Sequence, residues 1–346
     1  MPKTVTIGAG SRPAGETYAG MRKMKTRLHF ATLLAVCVVL TLFSACVLAA
    51  RGDDGASTTG TNVLVDLEKT KDRLAPGYRL AYRFTAGEVL LTKVVHLAKV
   101  ETKIKGVAQT TSSRTVSTRS WRIRDVDAAG NITFDNTVEQ VEMWNSVEGR
   151  EEAHYDSATD KNPPPEFANV AASVGKVLAT VKIDPQGRIL SRTNAQPLFN
   201  PGIGDLTIPF PPADKQPIKT GISWSIPDEL KISLEDGTVK KIQTQQQYRL
   251  EKVEAGVATI AVATQVLTPV NDPKVQSQIV QRLQRGTIKF DLDAGRLLHK
   301  QMDIDQEVFG FSGADSHMQY LARFTEEPLK EADQTAKGAG AAANKR

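Results

Sequence analysis

The histidines of the chain are the first residues to consider for metal or acid–base chemistry. Four of them follow the apolar N-terminal segment: His96, His154, His299 and His317. No two have the i, i+2 or i, i+4 spacing that places both imidazoles on one face of a strand or helix, and no HExxH motif occurs. A metal site would have to be assembled from distant residues, so the sequence predicts ordinary strand and loop histidines and no metal site.

A serine near the C-terminus is the next candidate. Residues 310–314 read Gly-Phe-Ser-Gly-Ala, one residue short of the Gly-x-Ser-x-Gly elbow of serine hydrolases, and His317 follows closely. The elbow projects its hydroxyl from a strand-to-helix turn, whereas Ser312 lies between two predicted strands. We therefore expect a glycine-rich hairpin loop. An extracytoplasmic hydrolase, with a site assembled from scattered Asp, Glu, Ser and His, is kept as the alternative function.

Residues 291–295 resemble the start of a calcium loop. They read Asp-Leu-Asp-Ala-Gly, but Gly295 comes one position early for an EF-hand. The twelfth position holds Met302 instead of the bidentate Glu, and strands are predicted on both sides. We expect Asp291 and Asp293 to accept hydrogen bonds from turn amides, with Gly295 at positive φ.

Two pairs of aspartates could provide the carboxylates of a glycosidase. Asp125 and Asp127 share one strand face, and so do Asp303 and Asp305. Glycosidases need two carboxylates at a set separation across a cleft, and solvated strand charges are the simpler interpretation. No P-loop or dinucleotide-binding glycine motif is present either. We therefore predict no cofactor, no catalytic residues and no enzymatic activity.

The elements that would position any site are mostly strands. Apolar and polar residues alternate with a period of two, which places one set of side chains against a core and the other in water. The apolar members are Tyr78, Leu80, Tyr82, Phe84, Trp121, Ile123, Ile288, Phe290, Leu292, Met302, Ile304, Met318, Tyr320, Ala322 and Phe324. Helical spacing occurs in two stripes, over residues 167–174 and 275–283.

The order hairpin, helix, hairpin occurs twice, which indicates an internal duplication. We predict a mainly β (α+β) fold, in which two tandem β-rich repeats build one curved antiparallel sheet or two related sheets, with two short amphipathic helices. The first repeat spans residues 77–195 and the second 221–325. The proline-rich residues 196–220 are expected to form a linker or crossover, and residues 326–346 a disordered tail.

Residues 21–50 have the composition of an export signal or membrane anchor, because a cationic start precedes an apolar run. Three interpretations stay open: lipid attachment at Cys46, whose preceding Phe-Ser-Ala approximates a lipobox; plain cleavage after Ala50; or an uncleaved anchor long enough to span a bilayer. Each places the folded region outside the cytoplasm, in the periplasm or on the outer surface, with the membrane as a partner through the N-terminus. Residues 51–76 would be a flexible tether, and residues 1–20 a gene-start artefact or disordered extension.

Charge and cysteine content exclude several classes of protein. Of the 44 Lys and Arg residues and 39 acidic residues, residues 1–50 hold six and one, which leaves 38 of each in the remainder. A neutral exported region does not have the basic surface of a nucleic-acid-binding protein, so no nucleic-acid partner is expected. The two cysteines, Cys37 and Cys46, both lie in the apolar leader, so the exported region has no disulfide and no thiolate site.

Three stretches together resemble a known family. Residues 78–88 begin Tyr-Arg-Leu-Ala-Tyr-Arg-Phe and end Gly-Glu, residues 209–224 run from Pro-Phe-Pro-Pro to Gly-Ile-Ser-Trp, and residues 286–296 run from Gly-Thr-Ile-Lys-Phe-Asp to Gly-Arg. The combination is similar to a family of uncharacterised secreted or lipid-anchored bacterial proteins. That resemblance implies no catalytic residues. By shape alone, long antiparallel strands with two helices also resemble the periplasmic lipoprotein carriers.

A binding or scaffold role in the cell envelope, with a lipid or protein partner, is the predicted function. If the two helices cover the sheet only in part, apolar residues of its concave face would line a groove for an acyl chain or apolar peptide. The residues chosen for that groove are Tyr82, Phe84, Trp121, Ile123, Phe290, Met302 and Ile304. The alternative, which the usual packing of apolar strand faces favours, is that they fill a closed core.

Overall fold

The computed structural model describes residues 77–195, 207–234 and 237–329. The predicted export signal with Cys46, the tether, residues 196–206 of the linker and the tail beyond Leu329 lie outside the described residues. Within the described ranges, no helix is long and apolar enough to cross a membrane.

Twelve antiparallel strands form a single sheet in the described residues. In chain order they are β1 Val89–Ile104, β2 Val107–Val126, β3 Ile132–Val147, β4 Ala153–Asp156, β5 Val177–Ile183, β6 Ile189–Asn194, β7 Ser223–Ser233, β8 Val239–Glu254, β9 Val257–Val266, β10 Arg285–Asp291, β11 Arg296–Phe309 and β12 His317–Pro328. Their spatial order is β6-β5-β3-β2-β1-β12-β11-β10-β9-β8-β7, and β4 pairs with β3. The predicted mainly β fold with a curved antiparallel sheet is confirmed.

The two predicted helices are present and short. Helix α1 spans Ala168–Ser173 after a 3₁₀ turn at Pro165–Phe167, and α2 spans Pro273–Ile279 before a 3₁₀ turn at Val280–Arg282. Proline at the first position and a side-chain cap start α2, because Asp272 accepts a hydrogen bond from the Lys274 amide. A third 3₁₀ turn lies at Ala213–Lys215.

The two halves of the chain have the same local order and lie side by side in the sheet. Helix α1 connects β3 to its neighbour β5 (through β4), and α2 connects β9 to its neighbour β10. The halves meet where β1 pairs with β12 over a continuous register. Of the two arrangements predicted for the repeats, the described strands therefore adopt the single shared sheet. The repeat boundaries at 77–195 and 221–325 stay a prediction.

Long strands are held in register by tight turns. Lys105 and Gly106 join β1 to β2 with φ of 51° and 80°, and Ala255 and Gly256 join β8 to β9 with φ of 47° and 78°. Two successive residues at positive φ make the turn whose twist matches that of the flanking strands. These turns fix which residues lie opposite one another along β1, β2, β8 and β9.

The predicted strand at residues 78–84 is not part of the sheet, which corrects the sequence analysis. Its alternation is real, since Leu80 and Tyr82 are buried, but only Tyr78 makes an isolated bridge, to Ile218. The segment crosses one face of the sheet. Its amides donate to the carbonyls of residues 185, 218 and 295 and to a glutamine side chain, so no strand ladder is needed to satisfy them.

The main core lies on that same face, which we call the core face, and the opposite one the outer face. The largest fully buried side chains of the main core include Phe134, Phe290, Ile260 and Leu250 from both halves of the sheet. The second part of the predicted linker also contributes, because Ile208, Phe210 and Ile218 are buried there. Described residues 207–218 are therefore a packed part of the fold and not an exposed linker.

Candidate functional site

The histidines that follow the apolar N-terminal segment lie far apart in the structure. His154 on β4 lies 4.9 Å from the Trp144 ring, and His317 on β12 stacks on Phe309 at 4.5 Å between ring centroids. His299 on β11 is 3.9 Å from a carboxylate oxygen of Glu327 on the neighbouring strand β12. In the part of the chain that the structure describes, no group of three His, Cys, Asp or Glu side chains could hold a metal ion.

Ser312 lies in the hairpin loop between β11 and β12, as predicted. The Ser316 hydroxyl accepts a hydrogen bond from the Ser312 amide at 2.8 Å and donates to the Gly313 carbonyl at 2.7 Å. Strands flank this loop on both sides, so it has no strand-to-helix elbow. Among the described residues, no hydrogen bond joins Ser312 to His317, and the structure does not bring a nucleophile and a base together here.

The aspartate loop after β10 is a turn that its own side chain stabilises. Asp291 Oδ1 accepts hydrogen bonds from the amides of Asp293 and Ala294, at 2.9 and 2.8 Å. Gly295 follows with φ of 65°. The prediction of turn-stabilising aspartates is confirmed for Asp291, whereas Asp293 takes part through its backbone amide, which donates to Asp291.

The carboxylate pairs are engaged in local contacts. Asp127 accepts hydrogen bonds from the side chain of Asn131 and from Lys182, at 2.9 Å each, and these hold the pKa of its carboxyl well below the usual range. For Asp303, burial acts to raise the pKa, but hydrogen bonds from Arg323 and Gln301 outweigh it and leave the pKa lowered. Both groups are ionised carboxylates at neutral pH, which does not suit a general acid.

The residues chosen for an apolar groove fill a closed core instead. The members of that set buried in the main core are Tyr82, Trp121, Ile123, Phe290 and Met302, with Phe84 packed against them. Trp121 stacks on Phe134 with ring centroids 4.2 Å apart. The favoured alternative of a closed core is confirmed for these six residues, and the apolar groove proposed for them is wrong. Of the seven residues, only Ile304 lines an open groove, and this groove is not the predicted one.

That groove, of about 1310 Å³, crosses the middle of the sheet. Residues of β1, β2, β3, β9, β10, β11 and β12 line it. On β3 it is lined by Trp144 and Ser146 but not by Asn145, whose side chain has the opposite direction in the strand. Tyr155 pairs with Met143 and is buried against Phe167 on the core face, so Met143 also points to the core face. Trp144 is the next residue of the strand and Ser146 lies two beyond it, so both point to the outer face. The groove is therefore on the outer face.

One row of directly opposed residues runs across the groove. From β3 to β10 it consists of Trp144, Arg114, Leu97, Arg323, Asp303 and Arg285, and we call it the arginine row. Adjacent members lie on adjacent strands, about 4.8 Å apart along the sheet. All six line the groove.

Contacts within the arginine row order its side chains. The Arg114 guanidinium carbon lies 4.5 Å from the centre of the Trp144 ring, a cation–π distance. Arg323 Nε donates to Asp303 Oδ1 at 2.6 Å. Arg285 stands directly opposite Asp303 on the next strand. The row therefore holds three guanidinium groups and one carboxylate, which leaves it positively charged.

Apolar side chains lie between the charges. Leu97 is 40% exposed although β1 is a central strand, and it stands between Arg114 and Arg323. Leu321 lies two residues before Arg323 on β12, hence on the same face, directly opposite Lys99 and Asp305. The groove thus combines exposed leucine and tryptophan surface with guanidinium groups, an arrangement that can bind an amphipathic molecule.

Sequence reasoning did not find this site. It assigned the Lys and Arg residues of the strands to a solvated face, which is where they lie, but the register that aligns them was not visible. Arg114 and Arg323 are more than 200 positions apart in the chain. The one available signal was that the Leu97 side of the β1 alternation mixes apolar residues (Val89, Leu91, Val95 and Leu97) with lysines and Glu101.

A scan against protein-family models finds no match, and neither does a search of curated protein sequences. Among solved structures, the chain is similar to a lipovitellin structure concerned with lipid–protein interactions, with a TM-score of 0.41 and 12% identity over 72% of this chain and 26% of lipovitellin. This chain thus spans about a quarter of that protein.

Two bacterial structures with less similarity are also found. A domain described as an outer membrane lipoprotein-sorting protein, from Vibrio parahaemolyticus, has a TM-score of 0.14 and 10% identity over 72% of this chain and 91% of its own. A DUF1329 family protein from Desulfovibrio piger has a TM-score of 0.14 and 12% identity over 66% of this chain and 83% of its own.

Proposed function

We propose that this protein is a non-catalytic binding protein of the cell envelope that holds an amphipathic, lipid-like molecule in the outer-face groove. The observation that carries the proposal is the groove itself: exposed apolar side chains at the centre of a sheet, bordered by guanidinium groups. A solvated sheet face normally carries polar side chains. A volume of about 1310 Å³ is above the range of about 300–1,000 Å³ that is typical of small-ligand pockets.

The absence of an assembled catalytic group in the described residues supports the non-catalytic part of the proposal. No hydrogen bond joins Ser312 to His317 in the described part of the chain, and one carboxylate of each pair is held by a cation, Asp127 by Lys182 and Asp303 by Arg323. Turnover in a broad hydrolase screen that Ser312→Ala abolishes would overturn this part.

Leu97 provides the central test of the site. We expect Leu97→Gln to weaken binding of a fluorescent fatty acid about 3- to 8-fold, because full burial of a leucine side chain contributes about 1.5–3 kcal/mol and the ligand can bury only the 40% of Leu97 that is exposed. The matched control is Leu190→Gln, since Leu190 is 53% exposed on the edge strand β6, away from the groove. Equal affinities for wild type and both variants, or no binding by wild type, would refute the proposal.

Trp144 allows the ligand to be located. Trp121 is buried in the main core, and Trp224 stacks on Tyr248 with ring centroids 5.5 Å apart. A brominated fatty acid bound in the groove should therefore quench Trp144 selectively. Trp144→Phe should remove the quenching, and quenching that persists in this variant would place the ligand elsewhere.

Envelope location and lipid attachment at Cys46 are part of the same proposal and rest on the sequence of residues 21–50. We expect Cys46→Ala to release the protein or to leave it as an unprocessed precursor. Mass spectrometry of the mature N-terminus distinguishes the three interpretations. An N-terminus at Arg51 would exclude lipid attachment, and one at Met21 or Met24 would indicate an uncleaved anchor.

A further inference from the structure

The charge of the arginine row is concentrated around one exposed leucine. Arg114 and Arg323 stand on either side of Leu97, on the two strands that pair with β1. Their Cα positions are about 10 Å apart, twice the strand spacing. Two long side chains at this separation can both reach a group that lies over Leu97.

Both guanidinium groups are ordered and keep hydrogen-bond donors available. The Arg114 guanidinium carbon lies 4.5 Å from the centre of the Trp144 ring, and this cation–π contact is not a hydrogen bond. Arg323 donates through Nε to Asp303, and its two terminal nitrogens carry four further N–H donors. Such fixed planar donors match the oxygens of a carboxylate or phosphate.

The remaining charges of the groove do not neutralise this pair. Lys99 forms an ion pair with Glu101 on its own strand. Asp303 lies between Arg323 and Arg285, so its one negative charge is opposed by two positive ones. Asp305, opposite Leu321 in the neighbouring row, and Glu152 also line the groove. Its lining therefore has four basic residues (Lys99, Arg114, Arg285 and Arg323) against three acidic ones (Glu152, Asp303 and Asp305), which leaves it positive by one charge.

We propose that Arg114 and Arg323 form an anion site over Leu97, which binds the acidic headgroup of the amphipathic ligand while its apolar chain lies along Leu97, Leu321 and Trp144. This inference rests on the proposed function and narrows it to anionic amphiphiles. The headgroup chemistry is a carboxylate or phosphate oxyanion, and a neutral or cationic headgroup is selected against, because it offers no negative charge to either guanidinium.

The test compares amphiphiles with one chain and different headgroups. Hexadecanoate, hexadecyl phosphate, hexadecanol and hexadecylamine would each displace a fluorescent fatty acid from the purified full-length protein. We expect the two anions to bind at least about tenfold more tightly than the alcohol and the amine, with an advantage that decreases as salt increases. The ratio between the two anions identifies which oxyanion the site prefers.

Arg114→Gln assigns the effect to the anion site. It should weaken hexadecanoate binding about tenfold and leave hexadecanol binding unchanged. Arg249→Gln is the matched control, because Arg249 is an exposed arginine on the same face at β8, outside the groove. Circular dichroism of each variant confirms that the sheet is intact.

The outcomes separate this inference from the proposed function. If all four amphiphiles bind equally, or if Arg114→Gln weakens hexadecanol as much as hexadecanoate, the anion site is refuted and the apolar binding groove stands. If none of the four binds to wild type, the proposed function fails and the anion site fails with it.

Discussion

The hydroxyl of Tyr82 should be worth a measurable part of the stability of this fold. Tyr82 is 5% exposed, and its hydroxyl oxygen accepts a hydrogen bond of 2.8 Å from the backbone amide of Ile208. The Tyr82 ring lies 5.5 Å from Phe210 and 5.4 Å from Phe290, between centroids. Tyr82 thus connects three parts of the chain: residues 78–84, which cross the core face, residues 207–218, and strand β10.

Tyr82→Phe removes only the hydroxyl oxygen. The ring contacts stay, but the Ile208 amide, itself buried, loses its hydrogen-bond acceptor. Leaving a buried donor without a partner costs about 1–3 kcal/mol. Since domains are stable by about 5–15 kcal/mol, this is a substantial fraction of the free energy of unfolding.

Equilibrium unfolding in urea measures the effect. With an m-value of about 2–3 kcal/mol/M, a loss of about 2 kcal/mol lowers the unfolding midpoint by roughly 0.7–1 M. Tyr320→Phe is the matched control. Tyr320 is also 5% exposed, and burial raises its pKa to about 12, but its hydroxyl makes no hydrogen bond to any residue within the described ranges.

The control variant should change the free energy of unfolding by less than about 0.5 kcal/mol. The reasoning is refuted if Tyr82→Phe is no more destabilising than Tyr320→Phe. An intermediate result with a changed m-value would mean that the unfolded state, and not the hydrogen bond, was altered, and it would count equally against the prediction.

Three further predictions concern local features. Burial lowers the pKa of His96 below its ordinary value of 6.5, so the unfolded chain binds the proton at a higher pH than the folded protein does. The free energy of unfolding should therefore fall as the pH drops through 6.5. In urea titrations at several pH values, His96→Gln should reduce this dependence of stability on pH. Gly187→Ala should lower the free energy of unfolding by about 2–4 kcal/mol in urea titrations, because φ is +77° and a Cβ would collide with the Ile208 carbonyl oxygen. Gly175 has a similar φ of +74° but open space around it, so Gly175→Ala should cost only about 1–2 kcal/mol. The hydrogen bond from Asn131 lowers the pKa of Asp127, so Asp127→Ala should lower the melting temperature at pH 7, and the gap to wild type should narrow as the pH falls below 3.8.

The local structure could largely be predicted from the sequence. The two-residue alternation of Ile288 and Phe290, and of Met318 and Tyr320, marks strands with one buried side because successive strand side chains point to opposite faces. The helical spacing over residues 275–283 located α2, which spans Pro273–Ile279, and the Asp291 loop is the turn its residues required. These signals act over a few residues and need no tertiary partner.

Partner choice could not be predicted, because it depends on which segments meet in space. Residues 78–84 alternate as a strand does, yet they cross the core face, where Leu80 and Tyr82 find apolar contacts and the amides find other acceptors. Periodicity indicates that one face of a segment is buried, but it does not indicate which other segment covers that face. For the same reason, residues such as Trp121 and Phe290 were correctly placed on an apolar face, but only the structure showed that this face is closed.

The candidate site depends most of all on tertiary structure. The sequence determined that this is a cysteine-poor β protein with polar strand faces and no recognisable catalytic motif, and it predicted an export signal at residues 21–50. The pairing of β3 through β10 decided that Arg114, Leu97 and Arg323 stand side by side. A shift of one residue in any of these registers would move a guanidinium to the opposite face of the sheet, and the sequence of one strand alone contains nothing that fixes the register with the next.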